Sequence, residues 1–134
     1  MKTLFLITMT IFLSSFSGLQ TDTKTHPDPR LYDVLSQSEI NEMLDKNPFL
    51  IEYYNYFLDY SFKIIEQPKG KSVKLPVVVI PDVENFNILA VQKKQKLQRS
   101  WDNQTYYSIE GTNKVLVFIS EREFTQRLNE RIGR

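Results

Sequence analysis

Between positions 48 and 60 the chain is almost continuously apolar. Phe49, Leu50, Ile51, Tyr53, Tyr54, Tyr56, Phe57, Leu58 and Tyr60 are interrupted only by Glu52, Asn55 and Asp59. Asn47-Pro48 supplies an N-cap residue followed by proline at the first helical position, where its missing N–H is one the helix leaves unpaired anyway. The three polar residues are spaced i, i+3, i+7, so they form one narrow stripe on an otherwise apolar cylinder. Such a helix needs cover. It predicts a domain folded around it, or an aromatic face offered to a partner.

The sequence on either side supplies candidate cover. Ser36 with Glu39 is a capping box, and Ile40, Met43 and Leu44 follow it at helical spacing, which predicts a first helix ending at Asn47. After the aromatic helix the pattern turns to strand. Residues 61–67 alternate, 68–71 (Pro-Lys-Gly-Lys) read as a turn, and 73–80 are β-branched but interrupted by Pro76 and closed by Pro81. Proline confines that strand to an edge or to two short pieces. The short apolar run 86–91 fits strand or helix and is read as strand, and the basic segment 93–101 carries no assignment. Residues 105–109 and 114–119 flank Glu110-Gly111-Thr112-Asn113, a hairpin signal. The unbroken run Val115-Leu116-Val117-Phe118-Ile119 predicts a central strand covered on both faces. A second capping box at Ser120 and Glu123 opens a last helix with one apolar seam, Phe124, Leu128 and Ile132. Its Glu123–Arg127 and Glu130–Arg134 pairs have the favourable i, i+4 order. The expected fold class is α+β: a small single domain with two N-terminal helices, a mostly antiparallel sheet of about four to five strands, and a C-terminal helix.

The first residues point outside the cytosol. Lys2 precedes the apolar run 4–13, and Ser14-Ser15-Phe16-Ser17-Gly18 follows. This is the order of a secretory signal peptide, covering 1–17, with cleavage expected after Ser17 or, second, after Gln20. The apolar run is about half of the roughly 20 residues a membrane-spanning helix needs, so no transmembrane anchor is expected after cleavage. Residues 18–30 carry Pro27 and Pro29 and read as a polar linker, leaving 31–134 as the folded domain. The chain has no cysteine. It can form no disulfide and no lipidated N-terminal thiol, so burial alone must hold a mature chain of about 115 residues, which is long enough for that. Of 17 basic and 16 acidic residues, only Lys2 leaves with the signal, giving 16 against 16. A neutral mature chain argues against nucleic acid as a partner.

The chemistry is restricted in the same way. Thiol catalysis and thiolate metal sites need cysteine. The one histidine, His26, lies in the linker, where it is a poor member of a catalytic triad and too few for a zinc site. The four glycines are isolated, so there is no phosphate-binding loop, and no cofactor or metal is expected. The carboxylates Glu52 and Asp59 lie about 10 Å apart along the helix axis, a long spacing for a glycosidase pair. Aromatic residues are the strongest positive signal. Tyr53, Tyr56 and Tyr60 on the helix, and Trp101, Tyr106 and Tyr107 later, are candidate binding residues, because each joins apolar area to a polar tip. Tyr106 and Tyr107 are adjacent on a strand and so point to opposite faces.

These features lead to an exported, non-catalytic binding or accessory domain, in the periplasm or outside the cell, contacting another envelope or secreted protein. The alternative is a carboxylate-dependent enzyme or binder acting on an envelope glycan, with Glu52 and Asp59 as its pair.

Overall fold

A computed structural model describes residues 25–67 and 74–133. The expected signal peptide with both expected cleavage positions, the first part of the expected linker, the expected turn at 68–71 and Arg134 lie outside these residues.

A short 3-10 turn (Pro29–Asp33) leads into α1 (Gln37–Lys46) and α2 (Pro48–Tyr60). The capping box of α1 forms as expected: Glu39 N–H donates to Ser36 Oγ at 3.1 Å and Ser36 N–H to Glu39 Oε1 at 2.8 Å. Asn47 separates the two helices, and Pro48 starts the second. Ile51, Phe57 and Leu58 of α2 are buried, whereas Asp59 and Tyr60 are exposed. Ser61 ends the helix by donating its hydroxyl to the Phe57 carbonyl at 2.7 Å, and the chain passes straight into β1 (Phe62–Glu66).

The four-stranded sheet has the order β1-β4-β3-β2, with β2 (Val77–Val78), β3 (Thr105–Ile109) and β4 (Lys114–Phe118). The β3–β4 hairpin and the antiparallel β1–β4 pairing agree with the sequence. As expected, β4 is central, and Val115 to Phe118 are all buried. As expected also, β2 is a short edge strand. The amide of Gln95 closes part of that edge, donating to Val79 O at 2.8 Å and accepting from Val79 N–H at 2.9 Å. A blocked edge cannot recruit a stray strand there.

Two expectations are corrected together. The run 86–91 is not a strand; from Ile88 it is helical, forming α3 (Ile88–Gln95). The physical reason is Asn87, whose side chain accepts from the N–H groups of Leu89 and Ala90 at 3.0 and 3.1 Å and so nucleates the first turn. A helix between β2 and β3 lets the two strands run parallel, since parallel neighbours need a crossover. The sheet is therefore mixed rather than mostly antiparallel. The unassigned basic segment divides. Lys93 and Lys94 occupy the last turn of α3, where cations suit the helix dipole, and Lys96 stops the helix with φ 55°.

The last helix, α4 (Glu121–Arg131), buries Phe124 and Leu128, with Ile132 partly covered, as one seam. Its capping box is only half formed. Ser120 Oγ accepts from Glu123 N–H at 3.1 Å, but the Glu123 carboxylate pairs with Arg127. Strand alternation assigns the sheet faces. Phe62, Ile64, Tyr107, Ile109, Leu116, Phe118 and Val78 join the helical side chains in one core. Register puts Ile65, Val115, Ser108 and Val77 in one row of the opposite face, with Lys63, Val117 and Tyr106 in another.

Candidate functional site

The polar stripe of α2 is not simply a solvated edge. Asn55 donates its amide to the His26 carbonyl at 2.7 Å and accepts from Asp28 N–H at 2.8 Å. Arg30 reaches both oxygens of Asp59, each at 3.0 Å, and binds Asp28 through Nε and Nη2 at 3.0 and 2.8 Å. From His26 onward the polar segment read as linker is thus fastened along the helix. Hydrogen bonds from Arg30 hold the Asp28 carboxyl below the usual carboxylate range, and its two carboxylate partners raise the Arg30 pKa further.

This fastening builds a cleft of about 320 Å³. One wall is the face of α2 carrying Glu52, Tyr56, Asp59 and Tyr60. His26 and Asp28 form the second, and Leu128, Arg131 and Ile132 the third. Glu52, Tyr56 and Tyr60 follow one another at four-residue intervals and so share a helix face. The Tyr56 and Tyr60 rings stack at 4.6 Å between centroids, 25° apart, with the Arg131 guanidinium 5.5 and 5.6 Å from them. Half of the sequence candidates, namely Glu52, Asp59, Tyr56 and Tyr60, therefore meet in one place. Of the two carboxylates, only Glu52 is unengaged among the described residues; Asp59 is committed to Arg30.

Tyr53 and Tyr107 are placed elsewhere: Tyr107 is buried, and Tyr53 is partly buried against the core. The Tyr53 ring meets Phe124 edge-on at 5.0 Å, and burial pushes its phenol pKa up. Its hydroxyl shares Glu121 Oε1 with Arg99, at 3.3 Å from each. The Arg99 side chain is 5% exposed and lies 4.8, 5.9 and 5.3 Å from the rings of Phe57, Phe118 and Phe124. Its Nε is buried without a hydrogen-bond partner. Tyr107 is 8% exposed. Its hydroxyl donates to Gln98 O at 3.2 Å and accepts from Gln98 N–H at 2.8 Å, while its ring stands perpendicular to Phe118. Tyr107 therefore packs the fold rather than presenting a surface, and Tyr53 is engaged on one side by the core.

Trp101 and Tyr106 are outside, 56% and 41% exposed. The loop carrying Trp101 is fixed to the start of α4: Ser100 O and Trp101 O accept from the N–H groups of Glu121 and Arg122 at 2.9 and 3.0 Å. Asp102 pairs with Arg122, and Asn103 N–H donates to Ser100 Oγ at 3.2 Å. Tyr106 projects from the sheet face opposite the core, in the row beside Ile65 and Val77, which are 37% and 57% exposed.

Sequence reasoning missed Arg99 and Arg131. For Arg131 the only local signal is its place in the last turn of a helix. For Arg99 there is none, because its burial is created by rings from three separate elements. Among the described residues there is no group of three or more acidic or histidine side chains arranged to hold a metal, and no helix long and apolar enough to cross a membrane. No family model, curated protein or solved structure matches this chain.

Proposed function

We propose that this protein is an exported, non-catalytic binding or accessory domain, working in the periplasm or outside the cell, whose partner is another envelope or secreted protein. One observation carries the reading: Trp101 is held out to solvent on a loop whose backbone is hydrogen-bonded to α4, and the sheet face opposite the core separately exposes Tyr106, Ile65 and Val77. An aromatic residue fixed in place loses little conformational freedom on binding, and exposed Trp and Tyr are enriched at protein interfaces. The test is crosslinking capture of the tagged protein from its native envelope. One partner recovered at near-stoichiometric yield supports the reading, provided Tyr106→Ala reduces the yield. A well-folded protein that captures nothing counts against it.

A second reading is favoured by the cleft. Stacked tyrosines beside a free carboxylate suit a sugar ring and its hydroxyls, so an envelope glycan is the alternative ligand. The engagement of Asp59 by Arg30 supports binding over acid–base chemistry there. Glycan binding that survives both Glu52→Gln and Tyr60→Ala would remove this alternative.

A further inference from the structure

We infer that the cleft between α2 and α4 is a receptor for a guanidinium side chain, and that Arg131 is the chain's own occupant of it. The site would accept an arginine presented by a partner protein. Asp28, Glu52 and Asp59 line the cleft. Arg30 pairs with two of them, Asp28 and Asp59. Two carboxylates against one guanidinium leave an excess of negative charge around Arg30. Glu52 forms no hydrogen bond or ion pair among the described residues, and neither does Arg131. The cleft is lined by three carboxylates and one guanidinium, that of Arg131; even with Arg30, which pairs with two of those carboxylates, the balance is three against two, an uncompensated negative charge in a protein that is otherwise nearly neutral.

The rings supply the second component. Tyr56 and Tyr60 stack with their planes 25° apart, and the Arg131 guanidinium lies 5.5 and 5.6 Å from their centroids. Those distances are close to the roughly 6 Å limit at which a cation still gains from a ring face. Arg131 is exposed and sits in the last turn of α4. It therefore shows which chemistry the rings accept while holding them weakly, so an incoming guanidinium could displace it. An arriving arginine could take the same ring faces and also reach the Glu52 carboxylate, a bidentate partner that Arg131 does not use. Charge complementarity selects a basic partner segment over an acidic one. The inference is independent of the Trp101 surface: either can fail while the other stands.

The test is an NMR titration of the purified protein with N-acetyl-arginine amide, with N-acetyl-citrulline amide as the uncharged isostere. The expected result is saturable shifts at Glu52, Tyr56 and Tyr60 with the arginine probe and none with citrulline. Arg131→Ala should tighten the arginine probe by about threefold or more, the size of one removed competing cation–π contact. Glu52→Gln and Tyr60→Ala should each weaken it. Both side chains are at least partly exposed, and an unchanged amide spectrum elsewhere confirms that the variants fold. No saturable shift in Arg131→Ala overturns the inference, as does equal binding of the two probes. Tighter binding of a neutral or acidic sugar than of the arginine probe also overturns it, and would assign the cleft to a glycan.

Discussion

Two of the aromatic groups of this protein, one inside and one outside, do opposite work. Around Arg99, the rings of Phe57, Phe118 and Phe124 enclose a nearly buried guanidinium, with the Tyr53 hydroxyl beside it. Around the hairpin, Trp101 and Tyr106 meet water. The adjacent pair Tyr106 and Tyr107 shows the difference at its smallest scale. The Tyr107 hydroxyl is tied to both backbone groups of Gln98, whereas the Tyr106 hydroxyl, among the described residues, reaches only the exposed side chain of Gln104, at 2.7 Å. Aromatic content therefore marks a binding surface only where the fold leaves the ring unpacked.

The strongest way to break this contrast is to empty the inner group. Phe124→Ala should cost about 3–5 kcal/mol of stability, the usual range for a buried Phe truncated to Ala, measured by urea unfolding. A loss under about 1 kcal/mol would mean the rings around Arg99 do not pack as one core. Removing the Asn55 clamp is the next largest change. Asn55→Ala breaks two hydrogen bonds at about 1 kcal/mol each, for a loss of about 2 kcal/mol. Amide exchange at Asp28 and Arg30 should rise sharply, with β4 unaffected. Unchanged exchange would show that the segment is held by something else.

The tyrosine pair sharpens the comparison. Tyr107→Phe should cost about 2 kcal/mol, because it removes both Gln98 hydrogen bonds at about 1 kcal/mol each, while Tyr106→Phe stays within about 0.5 kcal/mol. Equal effects in thermal melts would erase the distinction. The smallest effect concerns pH. The Asp28 carboxyl titrates below its ordinary value of 3.8 in the folded state. Its contribution is therefore fully present above that value and is lost as pH falls through the lowered one. Docking of residues 26–30 should persist at pH 5 and weaken only under strong acid, followed by the NMR shift of Asp28. A titration at or above the ordinary value would contradict the Arg30 pairing.

What the sequence revealed was local. The capping box at Ser36, the hairpin around Gly111 (φ 78°), the unbroken run of β4 and the Phe124–Leu128 seam each depend on neighbours within a few positions. The helix α3 was hidden because a short apolar run has no decisive period, although Asn87 ahead of Ile88 was a usable capping signal. Missing that helix also hid the parallel β2–β3 pairing. The long-range features had no local signature. Asn55 meets Asp28 across 27 positions, and Arg99 meets Glu121 across 22. The candidate cleft was half legible: Glu52, Tyr56 and Tyr60 share a helical face by spacing alone, but the walls given by His26 and Arg131 come from tertiary packing.

The most direct test pairs two readouts on one substitution, Trp101→Ala: the thermal melt and the yield of captured envelope partner. The account predicts a stability change within about 0.5 kcal/mol, as for a surface position, together with loss of stoichiometric capture. Undiminished capture would contradict it, as would a fall in capture matched by an equal fall in stability, since Trp101 would then belong to the fold and not to an interface.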